Sequence, residues 1–244
     1  RVPTGNDSAS SMPPGSTNAA LLARLASGDA PGEGDWLVAD RQVSGRGRAG
    51  RVWTDGFGNF MGSTIVRLQP SDPPPQTLSL VAGVALHDTV AAHCPGLADV
   101  ALKWPNDLLA GGAKLAGILL ERQGDAVVVG IGVNLAQAPD VPGRSTAALA
   151  ELGFPIARDA FAQLLGQRWQ LALARWHSGD WPGLRADWLA AAHPVGTLLT
   201  AHDHDHGQVT GAFAGIDPFG VALLRLADGK VHAIHAGDLE HVRD

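Results

Sequence analysis

Hydrophobic and polar positions along the chain follow two periods, and these predict helices packed on a β-sheet. Apolar residues recur at near-helical spacing, which predicts helices over 19–26, 77–92, 146–153, 157–176 and 181–192. Alternation and short apolar runs predict strands over 35–40, 61–68, 114–121 and 126–134. The last strand is apolar on both faces, so we expect it to be fully buried, with Asn134 as a polar group at its end.

Residues 100–109 read Val-Ala-Leu-Lys-Trp-Pro-Asn-Asp-Leu-Leu and predict one buried strand that a rigid polar turn interrupts. Pro105 lacks a donor for the ladder, so Asn106 and Asp107 are expected at a sheet edge or at the mouth of a site. An ordinary Asn-Asp turn is the alternative that these residues leave open. The Gly-Gly pair that follows predicts a tight hairpin into the next strand.

The pattern changes at His193-Pro194, which predicts a domain boundary. Beyond it, short strands are predicted over 198–201, 209–216, 221–226 and 231–235, and Gly or Asp stands at each turn. This punctuation is typical of a small β barrel. The chain is therefore predicted to contain a leader over 1–15, a large domain over 16–193 and a small domain over 194–244.

Three histidines alternate with aspartates at the first turn of this small domain: His202, His204 and His206. An extended segment would place the three imidazoles on one face, where they could bind a metal ion. A metal site needs fixed geometry, which a polar hairpin tip rarely supplies. We therefore expect a solvent-exposed turn here.

Composition narrows the class of protein. With 244 residues, of which 45% are hydrophobic, the chain can bury a substantial core. Cys94 is its only cysteine, which excludes a disulfide framework and fits a reducing cytoplasm. No apolar run approaches the roughly 20 residues of a membrane span, so no membrane partner is expected. The first fifteen residues are rich in Ser, Pro and Gly and are predicted to be flexible.

An Arg/Gly-rich loop stands out against the acidic formal net charge of −6. It contains four arginines and three glycines, and it closes on a tryptophan: Arg41, Gly45, Arg46, Gly47, Arg48, Gly50, Arg51 and Trp53. Such a local excess of cations predicts a loop that wraps an anion, open without ligand and ordered around it. A solvated mobile loop and an RG-type nucleic-acid contact remain alternatives, although the pI of about 5.9 suits the second poorly.

Two further sets of polar residues are candidates for a site. Ser16-Thr17-Asn18 precedes a predicted helix, so it is first an N-cap, and its side chains would line whatever the helix end faces. Lysine is rare in this chain: of the 18 basic residues only Lys103, Lys114 and Lys230 are lysines, and the first two stand eleven residues apart. A compact ammonium at these positions invites a chemical explanation.

These motifs, in this order and spacing, closely resemble the biotin protein ligase family, from about Ser16 to the C-terminus. The resemblance implies an α+β catalytic domain with a mixed sheet, related to class II aminoacyl-tRNA synthetases and lipoate ligases, followed by a small SH3-like β barrel. It also implies an enzyme that uses ATP and Mg²⁺ to convert biotin into biotinyl-5′-AMP. The acceptor would be a lysine of the biotin carboxyl carrier protein of acetyl-CoA carboxylase.

The resemblance also implies roles for individual residues. Biotin is expected to contact Ser16, Thr17, Asn18, Gln42, Arg46, Gly47, Arg48, Lys114 and Gly117. ATP and the adenylate are expected to contact Arg48, Arg51, Trp53, Asn106, Asn134 and Lys114. Catalysis is expected to involve Lys114, Arg48, Asp107 and Lys103. Asp107 would orient the acceptor amine and favour loss of its proton. No residue is assigned as a metal ligand.

Two rival functions remain open. A lipoate or octanoate ligase of the same superfamily is disfavoured by the Gly-Arg-Gly-Arg loop and by the absence of an early Arg-Arg-Gly-Gly-type motif. A non-enzymatic module that binds RNA or protein is the other. Bifunctional family members carry an N-terminal winged helix, and only fifteen residues precede the first motif here, so we expect no DNA partner. A homodimer is left open.

Overall fold

The computed structural model describes residues 15–54, 56–203 and 207–242. A six-stranded sheet in the order β1-β2-β6-β5-β4-β3 forms the large domain. Its strands are β1 (Trp36–Val38), β2 (Phe60–Arg67), β3 (Val100–Lys103), β4 (Asp107–Ala110), β5 (Ala113–Gln123) and β6 (Ala126–Val133). All pairings between these strands are antiparallel. The sheet is mixed only through isolated parallel bridges, from Leu102 to Ala192 and from Lys114 to Thr146.

Helices cover both faces of this sheet. They are α1 (Thr17–Ser27), α2 (Leu78–His93), α3 (Arg158–His177) and α4 (Trp181–Ala191). Leu21 of α1 packs against Ile65, Ala126 and Val128 on one face. The main core on the other face contains residues of α2, α3 and α4, including the fully buried Trp169 and Trp176. The prediction that β6 is apolar and buried on both faces is therefore confirmed.

The turn predicted within residues 100–109 is confirmed: residues 104–106 form it between β3 and β4. Asp107 was expected outside a regular strand, but it begins β4 and pairs with Lys103. One prediction for the large domain is wrong in its local structure. Residues 146–153 form no helix, because their backbone pairs with the sheet instead. Ala147 donates its N–H to the carbonyl of Lys114, and Leu149 donates to the carbonyl of Asn134.

The small domain is a five-stranded antiparallel sheet in the order β10-β9-β8-β7-β11. Its strands are β7 (Leu198–Asp203), β8 (Gly207–Ile216), β9 (Ala222–Arg225), β10 (Val231–Ile234) and β11 (Leu239–His241). The sequence pattern did not predict β11. Among the described residues no pairing joins β10 to β11, so closure into a barrel stays a prediction.

The two sheets share one hydrophobic core, which includes Phe213 and Ile216 of β8. Two indoles of the large domain donate hydrogen bonds to the small domain: Trp104 to the Gly220 carbonyl at 2.9 Å, and Trp181 to the Pro218 carbonyl at 2.7 Å. The small domain is therefore packed firmly against the large one. The boundary at residues 193 and 194 stays a prediction, with α4 ending at Ala191 and β7 beginning at Leu198.

Some sequence predictions fall outside the described residues. They are the greater part of the leader, and His204 and His206 of the histidine cluster; His202, which is described, is exposed. Within the described ranges, no helix is long and apolar enough to cross a membrane.

Candidate active site

The first turn of α1 brings a buried polar group to the sheet. Ser16 caps the helix, since its Oγ accepts a hydrogen bond from the Ala19 amide at 3.2 Å, which confirms the predicted capping role. Thr17 and Asn18 follow inside the helix and are both buried. Thr17 donates its backbone N–H to Oε1 of Gln42 at 2.7 Å, which ties the helix to the start of the Arg/Gly loop.

A glycine on the neighbouring strand makes room for the Asn18 side chain. A Cβ added at Gly130 of β6 would collide with Oδ1 of Asn18. The amide therefore lies directly on the backbone of the sheet, where its Nδ2 donates to a carboxylate oxygen of Glu121 at 2.9 Å. Polar side chains and bare backbone together line this end of the site.

The Arg/Gly loop is folded back on itself. Arg46 and Val52 form an antiparallel bridge, and a short 3₁₀ turn spans Arg48–Gly50 between them. Ala49 and Gly50 adopt left-handed backbone conformations, with φ of 54° and 71°, which makes this turn tight. Arg48 in this turn, and Arg46 and Arg51 on either side of it, all line the cleft.

Asp238, just before β11, holds two of these arginines. Arg51 donates to Oδ2 of Asp238 at 2.8 Å, and Arg48 lies 3.4 Å from Oδ1 and also donates to Oδ1 of Asn106 at 3.2 Å. Burial raises the pKa of Asp238, but the Arg51 hydrogen bond and the charges of Arg51, Arg48 and Lys103 outweigh it, so that pKa lies below its usual value. Burial also lowers the pKa of the Arg48 guanidinium.

Lys114 and Asp107 form a half-buried ion pair on adjacent strands. Lys114 Nζ donates to Oδ1 of Asp107 at 2.6 Å. Their strands are antiparallel, and Asp107 stands opposite Gly117, which has no side chain to separate the two charges. The ammonium also lies 5.9 Å from the centroid of the Trp53 ring, within the range of a cation–π interaction.

Trp53 lies flat on a bare stretch of backbone. A Cβ added at Gly132 of β6 would come within 2.5 Å of its indole ring, and one at Gly117 of β5 within 3.3 Å. Because glycines occupy both positions, the ring can rest against the two strands. The tryptophan therefore forms one wall of the cleft.

These residues surround a cleft that encloses about 710 Å³, part of it open to solvent. All of the predicted site residues line it except Lys103 and Asn134. Lys103 instead lines an adjacent groove, which it shares with Asp107 and Lys114. Asn134 is buried beneath the sheet, where its Nδ2 donates to the Ala147 carbonyl at 3.1 Å, and its Oδ1 has no partner among the described residues.

The cleft also contains residues that sequence reasoning missed, namely Val52, Ile118, Leu119, Gly130, Ile131, Gly132, Arg144 and Asp238. The alternating glycines of β6 were a visible signal, since glycine in a strand often marks a close approach. Nothing local in the sequence distinguishes Asp238 from other turn aspartates. Among the described residues, no cluster of three or more His, Cys, Asp or Glu side chains could hold a metal ion.

The sequence matches two family models. One, described as the Biotin/lipoate A/B protein ligase family, matches residues 16–135, and the other, described as the Biotin protein ligase C terminal domain, matches residues 200–242. The first covers the strands, helix end and loop that build the cleft. Fold and site therefore define a ligase of the biotin and lipoate class.

Similar proteins narrow this class. The Biotin–[acetyl-CoA-carboxylase] ligase of Paracoccus denitrificans is 39% identical over 80% of this chain and 85% of its own length. That of Mycobacterium tuberculosis is 38% identical over 94% and 86%. The solved structure of biotin protein ligase from Aquifex aeolicus in complex with biotin and ATP aligns with a TM-score of 0.79 at 25% identity, over 92% of this chain and 94% of that one. The chain belongs to the biotin protein ligase family.

Proposed function

We infer that this chain has biotin–[acetyl-CoA-carboxylase] ligase activity, like its relatives from Paracoccus denitrificans and Mycobacterium tuberculosis. We propose that it activates biotin with ATP as biotinyl-5′-AMP and then transfers biotin to a lysine of the biotin carboxyl carrier protein. The observation that carries this proposal is the cleft itself. Hydrogen-bonding groups at its α1 end line it together with a cluster of cations that includes Arg46, Arg48 and Lys114.

The α1 end of the cleft would bind the ureido group of biotin. This group carries N–H donors and a carbonyl acceptor, and the buried hydroxyl and amide groups of Thr17, Asn18 and Gln42 match it in kind. Ser16 is held by its capping bond, so it would contribute chiefly by fixing the helix end. The loop residues Arg46 and Gly47 would cover the bound ring.

The carboxylate of biotin would then lie towards Lys114. During activation, a carboxylate oxygen attacks the α-phosphorus of ATP, the bond to the β-phosphate oxygen breaks, and pyrophosphate leaves. Both reactants are anions, so preorganised cations lower the barrier most where negative charge builds up. We assign this role to Lys114 and Arg48, with Arg51 on the phosphates and Lys103 as a cation in the adjacent groove.

Trp53 would stack on the adenine, because its half-buried ring is already held flat against the glycines of β5 and β6. Asn106 would contact the adenylate from the turn between β3 and β4, where its side chain already orients Arg48. The buried position of Asn134 suits a supporting role beneath the adenylate, in which its amide holds the segment that carries Ala147.

Asp107 would act in the transfer step. The ε-amine of the acceptor attacks the activated carbonyl, an amide bond forms, AMP leaves and the amine loses a proton. A carboxylate can orient an ammonium group and accept its proton. Asp107 borders both the cleft and the adjacent groove, so it can meet an acceptor that enters by the groove.

The family chemistry implies Mg²⁺, but the carboxylates that line the cleft are already paired with cations. Asp107 is paired with Lys114 and Asp238 with the arginines, and no larger cluster of metal-binding side chains exists among the described residues. Mg²⁺ commonly binds through substrate phosphates and water with one or two carboxylates. We propose that it arrives on ATP, where it would neutralise phosphate charge, with Asp107 and Asp238 as the carboxylates that line the cleft. The reaction fits the cytoplasm, which supplies ATP and keeps Cys94 reduced.

Calorimetry with biotin, followed by pyrophosphate release and labelling of a carrier domain, tests this function. We expect biotin to bind, pyrophosphate to appear only with both biotin and ATP, and the carrier to become biotinylated. Lipoate and octanoate should give no pyrophosphate. Adenylation of lipoate in preference to biotin would establish the rival ligase, and the absence of any adenylation would favour a non-enzymatic module.

A further inference from the structure

A row of polar groups crosses three strands beneath the first turn of α1. Ser63 of β2 stands opposite Gly130 of β6, and Gly130 stands opposite Leu119 of β5. Asn18 lies over the glycine, between Ser63 on one side and Glu121 on the other. Ser63 and Glu121 have no part in the function described so far, and neither lines the cleft.

Glu121 determines which way the Asn18 amide points. A carboxylate only accepts hydrogen bonds, so the group that lies 2.9 Å from Oε2 of Glu121 must be the NH₂ of Asn18. The same nitrogen faces the carbonyl of Leu119 at 3.4 Å. Both amide protons are therefore taken by Glu121 and the Leu119 carbonyl, and Oδ1 of Asn18, a pure acceptor, faces Ser63.

The remaining contacts need more protons than the side chains supply. Oγ of Ser63 lies 2.6 Å from Oδ1 of Asn18 and 2.7 Å from Oγ1 of Thr17, and Oγ1 of Thr17 lies 3.3 Å from Oε1 of Gln42. Each contact between two oxygens needs one proton, and only the hydroxyls of Ser63 and Thr17 carry one. Three contacts thus share two protons, whichever way the hydroxyls turn.

This shortage gives the cluster a chemical preference. A buried group of acceptors with too few protons gains a hydrogen bond from a donor and gains nothing from another acceptor. Thr17, which belongs to the cluster, lines the cleft. A ligand that presents an N–H at this point completes the set of bonds, whereas the dithiolane ring of lipoate and the alkyl chain of octanoate have no proton to offer.

We propose that Ser63 and Glu121 are positioning residues that make Thr17 an acceptor for a ureido N–H of biotin, and that they thereby select biotin over lipoate. Glu121 orients the Asn18 amide, so that Oδ1 of Asn18 accepts the hydrogen bond of the Ser63 hydroxyl. Oγ1 of Thr17 then lacks a donor and can accept a hydrogen bond from the ligand. The inference rests on the proposed function, because it concerns how that site chooses its substrate.

Calorimetry with biotin on three variants tests the inference. Ser63→Ala should weaken biotin binding by about tenfold, because Oδ1 of Asn18 loses its donor and nothing then keeps Oγ1 of Thr17 an acceptor towards the cleft. Glu121→Ala should weaken it several-fold by freeing the Asn18 amide to turn over. Glu121→Gln keeps an acceptor for Asn18 and should retain most of the affinity. ATP binding should be unchanged in all three.

Thr64→Val is the matched control, since Thr64 is the next residue of β2, is equally buried and has a hydroxyl without a partner among the described residues. Its side chain points to the opposite face of the sheet. It should bind biotin like the wild type. Equal losses in Thr64→Val and Ser63→Ala would show a general effect of altering the strand and would overturn the proposal.

Two analogues of biotin, each methylated on one of the ureido nitrogens, test the role of the N–H directly. The quantity measured is the difference in affinity between biotin and each analogue, which a purely structural role of Ser63 would leave unchanged. One of the two analogues should bind the wild type much more weakly than biotin, and this gap should narrow several-fold in Ser63→Ala. An unchanged gap overturns the proposal, as does unchanged biotin affinity in Glu121→Ala, a change at a half-buried site. If the wild type binds no biotin, the proposed function fails and the inference fails with it.

Discussion

At the scale of single residues, the cleft holds its charges in pairs. Lys114 is neutralised by Asp107, and Arg51 is neutralised by Asp238. Such half-buried pairs keep the cations in place at moderate desolvation cost. Substrate anions can then exchange for the carboxylates, which leaves Asp107 available for a cationic acceptor. The two members of one ion pair are thus expected to serve different steps.

Lys114→Ala and Asp107→Ala should therefore fail at different steps. Loss of the ammonium should raise the barrier to adenylate formation by about 2 to 4 kcal/mol, as for removal of a preorganised donor. Loss of the carboxylate should leave adenylate formation largely intact and slow transfer to the carrier. The measurement is the burst of pyrophosphate release, recorded separately from biotinylation of the carrier.

Lys230→Ala is the control for loss of a lysine, because its side chain is 82% exposed and it does not line the cleft. It should leave both steps unchanged. If Asp107→Ala abolished the burst while Lys114→Ala preserved it, the two roles would be reversed, and Asp107 would be better described as a magnesium ligand.

At the scale of elements, β6 combines two tasks. Its valines and isoleucine fill the core, and its glycines clear space on the cleft face for Asn18 and Trp53. This combination explains why the strand appears in the sequence as an apolar run broken by glycine. A strand of this kind tolerates little change on the cleft face.

Gly132→Ala should displace the Trp53 ring, because the new methyl would come within 2.5 Å of it. We expect weaker ATP binding by about tenfold, which corresponds to loss of one aromatic contact of about 1 to 1.5 kcal/mol. Gly117→Ala is the matched comparison: its methyl would stand 3.2 Å from Lys114 and 3.3 Å from Trp53, so a smaller loss is expected. Calorimetry with ATP measures both, and a larger loss in Gly117→Ala would contradict the stacking geometry.

Among the described residues, the Asp238 carboxylate is the charged group of the small domain that holds the Arg/Gly loop, and the Gly237 carbonyl accepts a further hydrogen bond from Arg48 at 3.3 Å. Asp238→Asn should loosen the loop, because Arg48 and Arg51 lose their charged partner. We expect faster tryptic cleavage at these arginines in the free protein. Biotin with ATP should slow cleavage in both proteins, since anions gather the same guanidinium groups.

Asp228→Asn is the control for this loop experiment, because Asp228 pairs only with the exposed Lys230 among the described ion pairs. Its cleavage rate should equal that of the wild type. Identical rates for Asp238→Asn and the wild type, with and without ligands, would show that Asp238 does not restrain the loop.

At the scale of the whole molecule, the two domains meet at a pair of histidines. His193 follows α4, and its ring packs edge-on against that of His241 in β11, with centroids 4.6 Å apart. Burial, His241 and Lys103 together lower the pKa of His193 to about 4. This contact lies beside the groove that we assign to the acceptor, so its loss would affect that entrance as well.

Acid should therefore weaken the protein through His193. An unfolded histidine binds a proton near pH 6.5, but the folded one does so only near pH 4, so the unfolded state holds more protons between these values. Stability should fall as pH is lowered through this window, by roughly 1 to 2 kcal/mol from this group, because its partial exposure to solvent screens the effect. Urea unfolding of the wild type and His193→Phe at pH 7 and pH 5 measures this difference.

His193→Phe should lose less stability than the wild type between pH 7 and pH 5. The comparison at pH 8, where His193 is neutral in both states, reports packing alone and serves as the control. Parallel losses in the two proteins would assign the acid sensitivity to other groups.

Much of the site could be predicted because its motifs act locally. The Ser16 cap depends on an amide three residues away, the Arg/Gly loop on its own glycines, and the buried strand β6 on its own apolar run. Hydrogen bonds and conformational preferences within a few residues depend only on neighbouring residues, so they can be predicted from the sequence. The sequence therefore determined the position of the helix end, the loop and the central strand without reference to any distant residue.

Only the tertiary structure decided which distant residues complete these motifs. Asp238 reaches Arg48 across 190 positions, and Ser63 reaches Asn18 across 45, and no local pattern signals either contact. The same holds for residues 146–153, where pairing with Lys114 and Asn134 overrides helical spacing. Such choices depend on which surfaces meet when the core packs, because burial selects the partner among many side chains of the same chemistry.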